Sequence, residues 1–383
     1  MKRKKICFIV AVPITAHAFL RKHIEALSKN FDVYLVGNIK NADDIKNLSI
    51  EGWYNVDIRR GISLWHDLKA VFNTRRYFKQ MKFDAIHSVT PKAGLISAIA
   101  GKWARMRERS HIFTGQVWAT KRGIMRRLLK TFDKVIIKLD NHIFVDGKSQ
   151  REFLIQEGLL TKNQAIVFEN GSISGVDSSR FSFDKDQRIL LRNEIGIKKE
   201  QFTFIFLGRL KRDKGIIELF EAFNRLAAEE DDIFLLLVGF DEEQLISKLP
   251  NYNNIKENVN FHYYGTTSHP EIILNAGDVF VLPTYREGFG TSVLEAASVG
   301  LPCICSDTYG VLDAYVENET GLRCHVGDAK SLYECMKKMY DNPKLVKQMG
   351  INSRKRVLKD FKGETITECW VNFYKTILSK VDE

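Results

Sequence analysis

A chain of 383 residues, 44% apolar and 27% charged with only 7 prolines, has room for two or three ordered domains and is neither disordered nor collagen-like. Its formal charge of +11 divides unevenly: residues 1–185 hold 33 Lys+Arg against 17 Asp+Glu, and residues 186–383 hold 25 against 30. The basic half points to one anionic partner, whether nucleic acid, a phospholipid surface or a phosphorylated substrate, and no apolar run nears the roughly 20 residues of a membrane-spanning helix.

The N-terminus imitates a secretory signal peptide, with Lys2-Arg3-Lys4-Lys5, an apolar stretch over 6–12, then Ala16-His17-Ala18. Pro13 cuts that stretch short, and 6–12 reads better as a first β-strand. An amphipathic helix over 19–28 and a strand over 33–36 follow. Further on, strands are predicted over 85–88, 112–114 and 143–145, with a helix over 91–105. Short apolar strands alternating with helices mean parallel βαβ units. The stretch 169–186, rich in Gly, Ser and Asp, reads as an interdomain linker. The second half repeats the scheme: strands over 202–207, 233–238, 259–264, 279–282 and 303–306, helices over 216–229 and 293–299. A final amphipathic helix over 364–378 carries Ile366, Trp370, Phe373 and Tyr374 at helical spacing, an aromatic stripe suited to a core. The six cysteines form no CxxC pair and read as buried reduced thiols, which suits a cytosolic protein.

Two loops at strand carboxyl ends carry candidate chemistry. The first, Gly208-Arg209-Leu210-Lys211-Arg212-Asp213-Lys214-Gly215, sets two cations five residues apart, where they can grip a diphosphate from two directions. The second, Arg286-Glu287-Gly288-Phe289-Gly290-Thr291-Ser292-Val293-Leu294-Glu295, opens a helix. Its glycines permit a tight turn, and the bared amides are a ready anion site. Glu295, one turn into that helix, can accept hydrogen bonds from a diol such as a ribose.

These loops, with Gly300-Leu301-Pro302, Ser306-Asp307, Gly310 and Thr320-Gly321-Leu322 in the same order, resemble the retaining glycosyltransferases of family 4, which have the GT-B fold. The stretches Phe113-Thr114-Gly115-Gln116-Val117-Trp118-Ala119-Thr120 and Asn170-Gly171-Ser172-Ile173-Ser174-Gly175-Val176-Asp177 resemble a bacterial subgroup that builds O-antigen and capsule. The resemblance implies two doubly wound Rossmann-like domains with an interdomain cleft. Domain boundaries are expected at 1–185 and 186–363, with the helix 364–383 packing back on the first. It implies that Arg209 and Lys214 neutralise the donor diphosphate and that Glu287 holds hydroxyls of the transferred sugar. Phe289 and Gly290 would contact sugar or phosphate through their amides, and Glu295 would bind the ribose. It further implies a UDP-sugar donor, a lipid-diphosphate-linked saccharide acceptor, no metal and no other cofactor.

Two positions depart from the family pattern. Val12-Pro13-Ile14-Thr15-Ala16-His17 replaces a glycine pair after the first strand, and Thr114-Gly115 stands where relatives carry a histidine. His17 is the candidate acceptor-side residue. Asp184-Lys185-Asp186 imitates a metal-binding DxD but lies in the linker, Val293 replaces the third glycine of a dinucleotide fingerprint, and His262 and His269 lack metal-ligand neighbours.

Between Lys102 and Lys138 lie eleven Lys+Arg, with Glu108 and Asp133 inside the stretch and Asp140 just beyond. Within it Arg126, Arg127, Lys130 and Lys134 accompany an apolar helical stripe, which makes them candidates for contact with an anionic membrane. The expectation is a cytoplasmic enzyme held peripherally on the inner face of the membrane, with no nucleic-acid partner. A nucleotide-sugar 2-epimerase, a glucan synthase on the same fold and a nucleic-acid-binding protein remain as alternatives.

Overall fold

In the computed structural model, residues 3–59, 61–248 and 260–379 are described. Lys2, Val259 and residues 380–383, which the sequence reading touched, lie outside them. The chain forms two units, Met1–Ser174 with Gly363–Glu383, and Gly175–Lys362.

The first unit is a parallel sheet of β1 (Lys5–Ile9), β2 (Asp32–Gly37), β3 (Gly52–Asn55), β4 (Ala85–Val89), β5 (Glu108–Phe113), β6 (His142–Val145) and β7 (Ala165–Ile166), in the order β3-β2-β1-β4-β5-β6-β7. The stretch that imitates a signal peptide is therefore a central strand, paired with β2 on one side and β4 on the other. Burial on both faces explains its unbroken apolar sequence. A short helix α1 (Pro13–Thr15) and a π turn, Ala16–Leu20, lead into α2 (Arg21–Ser28). On the opposite face from α2 lie α3 (Leu64–Met81), α4 (Pro91–Ala104) and α5 (Gly123–Leu139), and α6 (Lys148–Gln156) follows β6. Glycines let α4 close on the sheet. A Cβ at Gly94 would lie 2.4 Å from His111 Cε1, and one at Gly101 2.5 Å from Ile86 Cδ1.

The second unit is a parallel sheet of β8 (Phe202–Leu207), β9 (Ile233–Val238), β10 (Phe261–Gly265), β11 (Val279–Leu282), β12 (Cys303–Ser306) and β13 (Gly321–Cys324), ordered β10-β9-β8-β11-β12-β13. Its helices are α7 (Lys185–Glu194), α8 (Ile216–Ala227), α9 (Pro270–Leu274), α10 (Thr291–Val299), α11 (Ala329–Tyr340) and α12 (Pro343–Asp360). Ile216, Leu219, Phe220, Phe223 and Leu226 are the buried stripe of α8, at the three-and-four spacing of an amphipathic helix.

The chain passes from one unit to the other ahead of residue 185. Val176 N donates to Phe361 O at 2.8 Å, Phe181 joins the second core, and Asp184 N donates to Asn275 Oδ1 at 2.8 Å, so residues 175–185 are fastened to the second unit. The terminal helix α13 (Gly363–Ser379) returns to the first unit, where Ile366, Trp370, Tyr374 and Leu378 complete a core with Phe8, Val33 and Leu35. Its Tyr374 hydroxyl bonds His87 Nδ1 at 2.7 Å, and its Thr367 hydroxyl bonds His23 Nδ1 at 2.9 Å. Burial depresses both imidazoles, His23 to about 4 and His87 well below its ordinary value. All six cysteines are free thiols.

Candidate functional site

In both sheets the strand order reverses beside the first strand of the unit, β1 against β4 and β8 against β11. The loops at the carboxyl ends of such a strand pair diverge and leave a crevice for ligands. In the second unit the loop 208–215 leaves β8 and the loop 283–290 leaves β11, so the two sequence motifs flank one such point.

Backbone and side-chain contacts lock these loops together. Asp213 O accepts from Tyr285 N at 2.9 Å and from Thr284 Oγ1 at 3.0 Å, while Asp213 Oδ2 accepts from Arg286 Nη2 at 2.9 Å. Gly215 has φ +72°, and a Cβ there would stand 2.1 Å from Pro283 O, so only glycine lets the chain pass. The loop after β12 closes from a third side: a Cβ on Gly310 would lie 2.6 Å from Glu287 O and 2.7 Å from Gly288 O. Thr284, Asp213 and Arg286 thus hold the site in shape, a role their sequence positions do not signal.

Lys214 ends a 3₁₀ turn, Arg212–Lys214, and its ammonium donates to Glu287 Oε1. The two expected donor-binding side chains therefore meet, each largely shielded, at 15% and 18% exposed. Arg209 is turned outward, 48% exposed, and its Nη1 lies 2.6 Å from Glu242 Oε2. Gly290, at φ +84°, caps the start of α10. The first amides of such a helix have no acceptor within it, and the macrodipole favours an anion there. The Phe289 side chain is buried against Phe361, ring centroids 5.5 Å apart, so any ligand contact of Phe289 runs through its backbone.

Glu295 lies one turn into α10. Burial pushes its carboxyl up to about 7, with Arg180 partly offsetting the shift and Glu271 adding to it. Arg180 is itself held by Glu271 Oε2 at 2.7 Å. A carboxyl poised near neutrality can accept one hydroxyl when protonated and two when ionised. The whole arrangement combines a cation, the free amides at the start of one helix and two carboxyls suited to hydroxyl groups.

In the first unit, the corresponding reversal point is flanked by the loops after β1 and β4. His17 sits in the π turn after β1, and its Nε2–H donates to Asp44 O at 2.9 Å, which leaves Nδ1 as the basic nitrogen. After β4, Thr90 holds φ +80°, a region β-branched residues seldom enter, and its buried Oγ1 has no partner among the described residues. Backbone strain of this kind concentrates at functional sites. No sequence signal marked Thr90.

Two of the four membrane-contact candidates are engaged within the protein. Arg126 Nη2 and Lys130 Nζ hold the two oxygens of Glu157 at 2.6 and 2.7 Å, above the Trp118 ring. Both belong to the packing of the unit, while Arg127 and Lys134 are exposed. Trp118 Nε1 also donates to Asp133 Oδ2 at 2.7 Å, and burial raises that carboxyl to about 7. Asp184 caps α7 by accepting from Asp186 N and Gln187 N, so the DxD imitation is a helix cap. No cluster of three His, Cys, Asp or Glu suited to a metal exists among the described residues.

Residues 187–356 match the sequence family described as glycosyl transferases group 1. Over 381 residues the chain is 29% identical to the capsular polysaccharide biosynthesis glycosyltransferase CapM of Staphylococcus aureus, covering 99% of each. It is 27% identical over 343 residues to the UDP-Gal:alpha-D-GlcNAc-diphosphoundecaprenol alpha-1,3-galactosyltransferase of Escherichia coli, covering 87% of this chain and 86% of the relative. Among solved structures, Anabaena HepE in complex with UDP and glucose superposes with a TM-score of 0.80 at 17% identity, over 98% of this chain and 99% of the other. The two Rossmann-like sheets are those of the GT-B fold.

Proposed function

We propose that this chain is a glycosyltransferase that moves a hexose-type sugar from a UDP-sugar to a lipid-diphosphate-linked saccharide, with retention of the α configuration, a reading supported by the match of residues 187–356 to glycosyl transferases group 1. The observation that carries the reading is the meeting of Lys214 and Glu287 at the reversal point of the second sheet, where Asp213 ties their two loops together. The names of the relatives support the class: one is a capsular polysaccharide enzyme and another joins galactose to a diphosphoundecaprenol-linked sugar.

Breaking a glycosyl–phosphate bond builds negative charge on the departing diphosphate. Lys214, with Arg209 swung in from Glu242 and the first amides of α10, stabilises that charge as it forms. In the free enzyme Lys214 is neutralised by Glu287. The incoming diphosphate takes over the ammonium and releases Glu287 to accept hydroxyls of the sugar. Glu295 accepts the ribose hydroxyls. The acceptor oxygen attacks the anomeric carbon on the face the diphosphate leaves, and its proton passes to a departing phosphate oxygen. This route asks for no carboxylate nucleophile. His17 and Thr90, at the reversal point of the first sheet, are the candidates for holding the acceptor.

The acceptor is lipid-linked, so the enzyme works at the inner face of the membrane as a peripheral protein, its basic half toward anionic lipid. No described helix is long and apolar enough to cross the membrane. The test is incubation with a panel of UDP-sugars and polyprenyl-diphosphate saccharides, with product mass and anomeric coupling as readouts. Transfer of one sugar with an α linkage is expected. Donor turnover without any acceptor would instead make the chain a 2-epimerase, and salt-sensitive binding to nucleic acid without transfer would make it a nucleic-acid-binding protein.

A further inference from the structure

The outward side of α3 carries large apolar side chains that stay half to largely open to solvent. Leu64 and Trp65 are 80% and 83% exposed, Leu68 49% and Phe72 45%. Residues 65, 68 and 72 fall in one stripe at the spacing of a helix face. The opposite stripe, with Ala70, Val71, Thr74, Tyr77 and Phe78, is already buried in the unit, so the outer apolar residues are surplus to folding. Trp103, 46% exposed near the end of α4, widens the patch, its ring edge-on to Phe72 at 4.9 Å. Single exposed hydrophobic residues are ordinary, but a contiguous patch of aromatic and aliphatic side chains marks an interaction surface.

Position and charge select the partner. In a parallel sheet each crossover helix begins at the carboxyl ends of the strands, and Lys92, at the start of α4, reaches Asp67 in the first turn of α3 and Gly61 O just ahead of that helix. Helix α5 also packs on α4, with Ile136 beside Gly94, and at its start Ile124 is 84% and Met125 47% exposed. Lys69 and Arg76 on α3, and Lys121, Arg122 and Arg127 about the start of α5, are exposed as well. Apolar tips accompanied by exposed cations, in a half of the chain with 33 Lys+Arg against 17 acids, match an anionic bilayer, whose headgroups take the cations while its acyl boundary takes the side chains.

We infer that the first two turns of α3 insert into the acyl boundary of an anionic bilayer, with the start of α5 as a second contact. The carboxyl ends of the first sheet, with His17 and Thr90, then face the membrane that carries the acceptor. This inference rests on the peripheral-membrane part of the proposed function, and it makes the apolar side chains of α3, rather than the cations of α5, the penetrating element.

The experiment uses the full chain with vesicles of phosphatidylglycerol and phosphatidylethanolamine, some carrying acyl chains brominated near the headgroup. Flotation with vesicles and bromine quenching of tryptophan are expected for the wild type. Trp65→Phe should still float but lose most of the quenching. Trp65→Ala with Leu68→Ala should lower vesicle partitioning at least about tenfold, at unchanged thermal stability and unchanged transfer to a detergent-solubilised acceptor. Flotation with equal quenching in wild type and Trp65→Phe overturns insertion and leaves peripheral binding standing. No flotation, with transfer intact, overturns the membrane contact alone and not the chemistry. A dimer in solution that shields Trp65 from acrylamide overturns it too, in favour of a second copy of the chain as occupant.

Discussion

Donor binding should titrate with Glu295. Its carboxyl is held at about 7 by burial, against an ordinary 4.5. If the ribose hydroxyls need the ionised form, the competent fraction falls from about 97% at pH 8.5 to about 3% at pH 5.5, roughly thirtyfold. The diphosphate of a nucleotide sugar stays fully ionised over that window, so the slope belongs to the protein. Calorimetric titration of the chain with a UDP-sugar should show affinity rising about thirtyfold between those pH values. Glu295→Gln should bind weakly and evenly across them. The stability effect has the opposite sense: a carboxyl whose folded pKa is raised costs stability as pH climbs from its ordinary 4.5, where the unfolded chain ionises, to about 7, where the folded one does. Glu295→Gln should therefore match wild type in denaturant at pH 4.5 and exceed it at pH 8. A flat wild-type profile, or the same slope in Glu295→Gln, refutes the assignment of the ribose to Glu295.

Lys214→Ala and Glu287→Ala should each cut turnover at least about tenfold, some 1.4 kcal/mol, and the double variant should lose less than the product of the two because the pair acts together. Asp213→Asn, which takes away the counter-charge of Arg286, should cost about 1–3 kcal/mol in urea unfolding and weaken donor binding by loosening the loop. Gly310→Ala, whose methyl would meet two backbone carbonyls, should lower thermal stability and raise the KM for donor together, while an alanine at Gly61, with nothing within 4 Å, leaves the KM unchanged. His23 is buried with its pKa depressed to about 4. The first unit should accordingly lose stability as pH falls from 6.5 towards 4, since the unfolded chain takes up the proton first, and His23→Gln should make that acid limb of the melting curve shallower, with buried His87 and His111 accounting for the remainder.

Central strands were legible in the sequence because burial on both faces makes them unbroken apolar runs, as in Phe202–Leu207 and Ile233–Val238. The edge strand Gly52–Asn55 was not, since only half its residues are shielded and Gly-Trp-Tyr-Asn has no alternation to read. Helix α3 escaped for a related reason: Leu64, Trp65, Leu68 and Phe72 lie on its outer side and blur the amphipathic period that the inner stripe alone would show. In the site, cations and carboxylates at strand ends advertise themselves by type and place. The carbonyl of Asp213, the methyl-free passage at Gly310 and the strained φ of Thr90 depend on which loops meet in space, and no local pattern encodes that. The cations of α5 show the converse. Arg126 and Lys130 read as a membrane face from helical spacing, yet Glu157, 27 residues or more along the chain, claims both.

Sugar transfer driven by Lys214 can be followed with one radiolabelled UDP-sugar, chosen from a panel, in wild type and Lys214→Ala with a polyprenyl-diphosphate saccharide. Label should enter the lipid fraction as one added sugar per acceptor, with UDP released in equal amount, and the variant should slow this at least about tenfold. Wild-type transfer rates in a folded Lys214→Ala protein, or no transfer and no UDP binding across the whole panel, would contradict this mechanism.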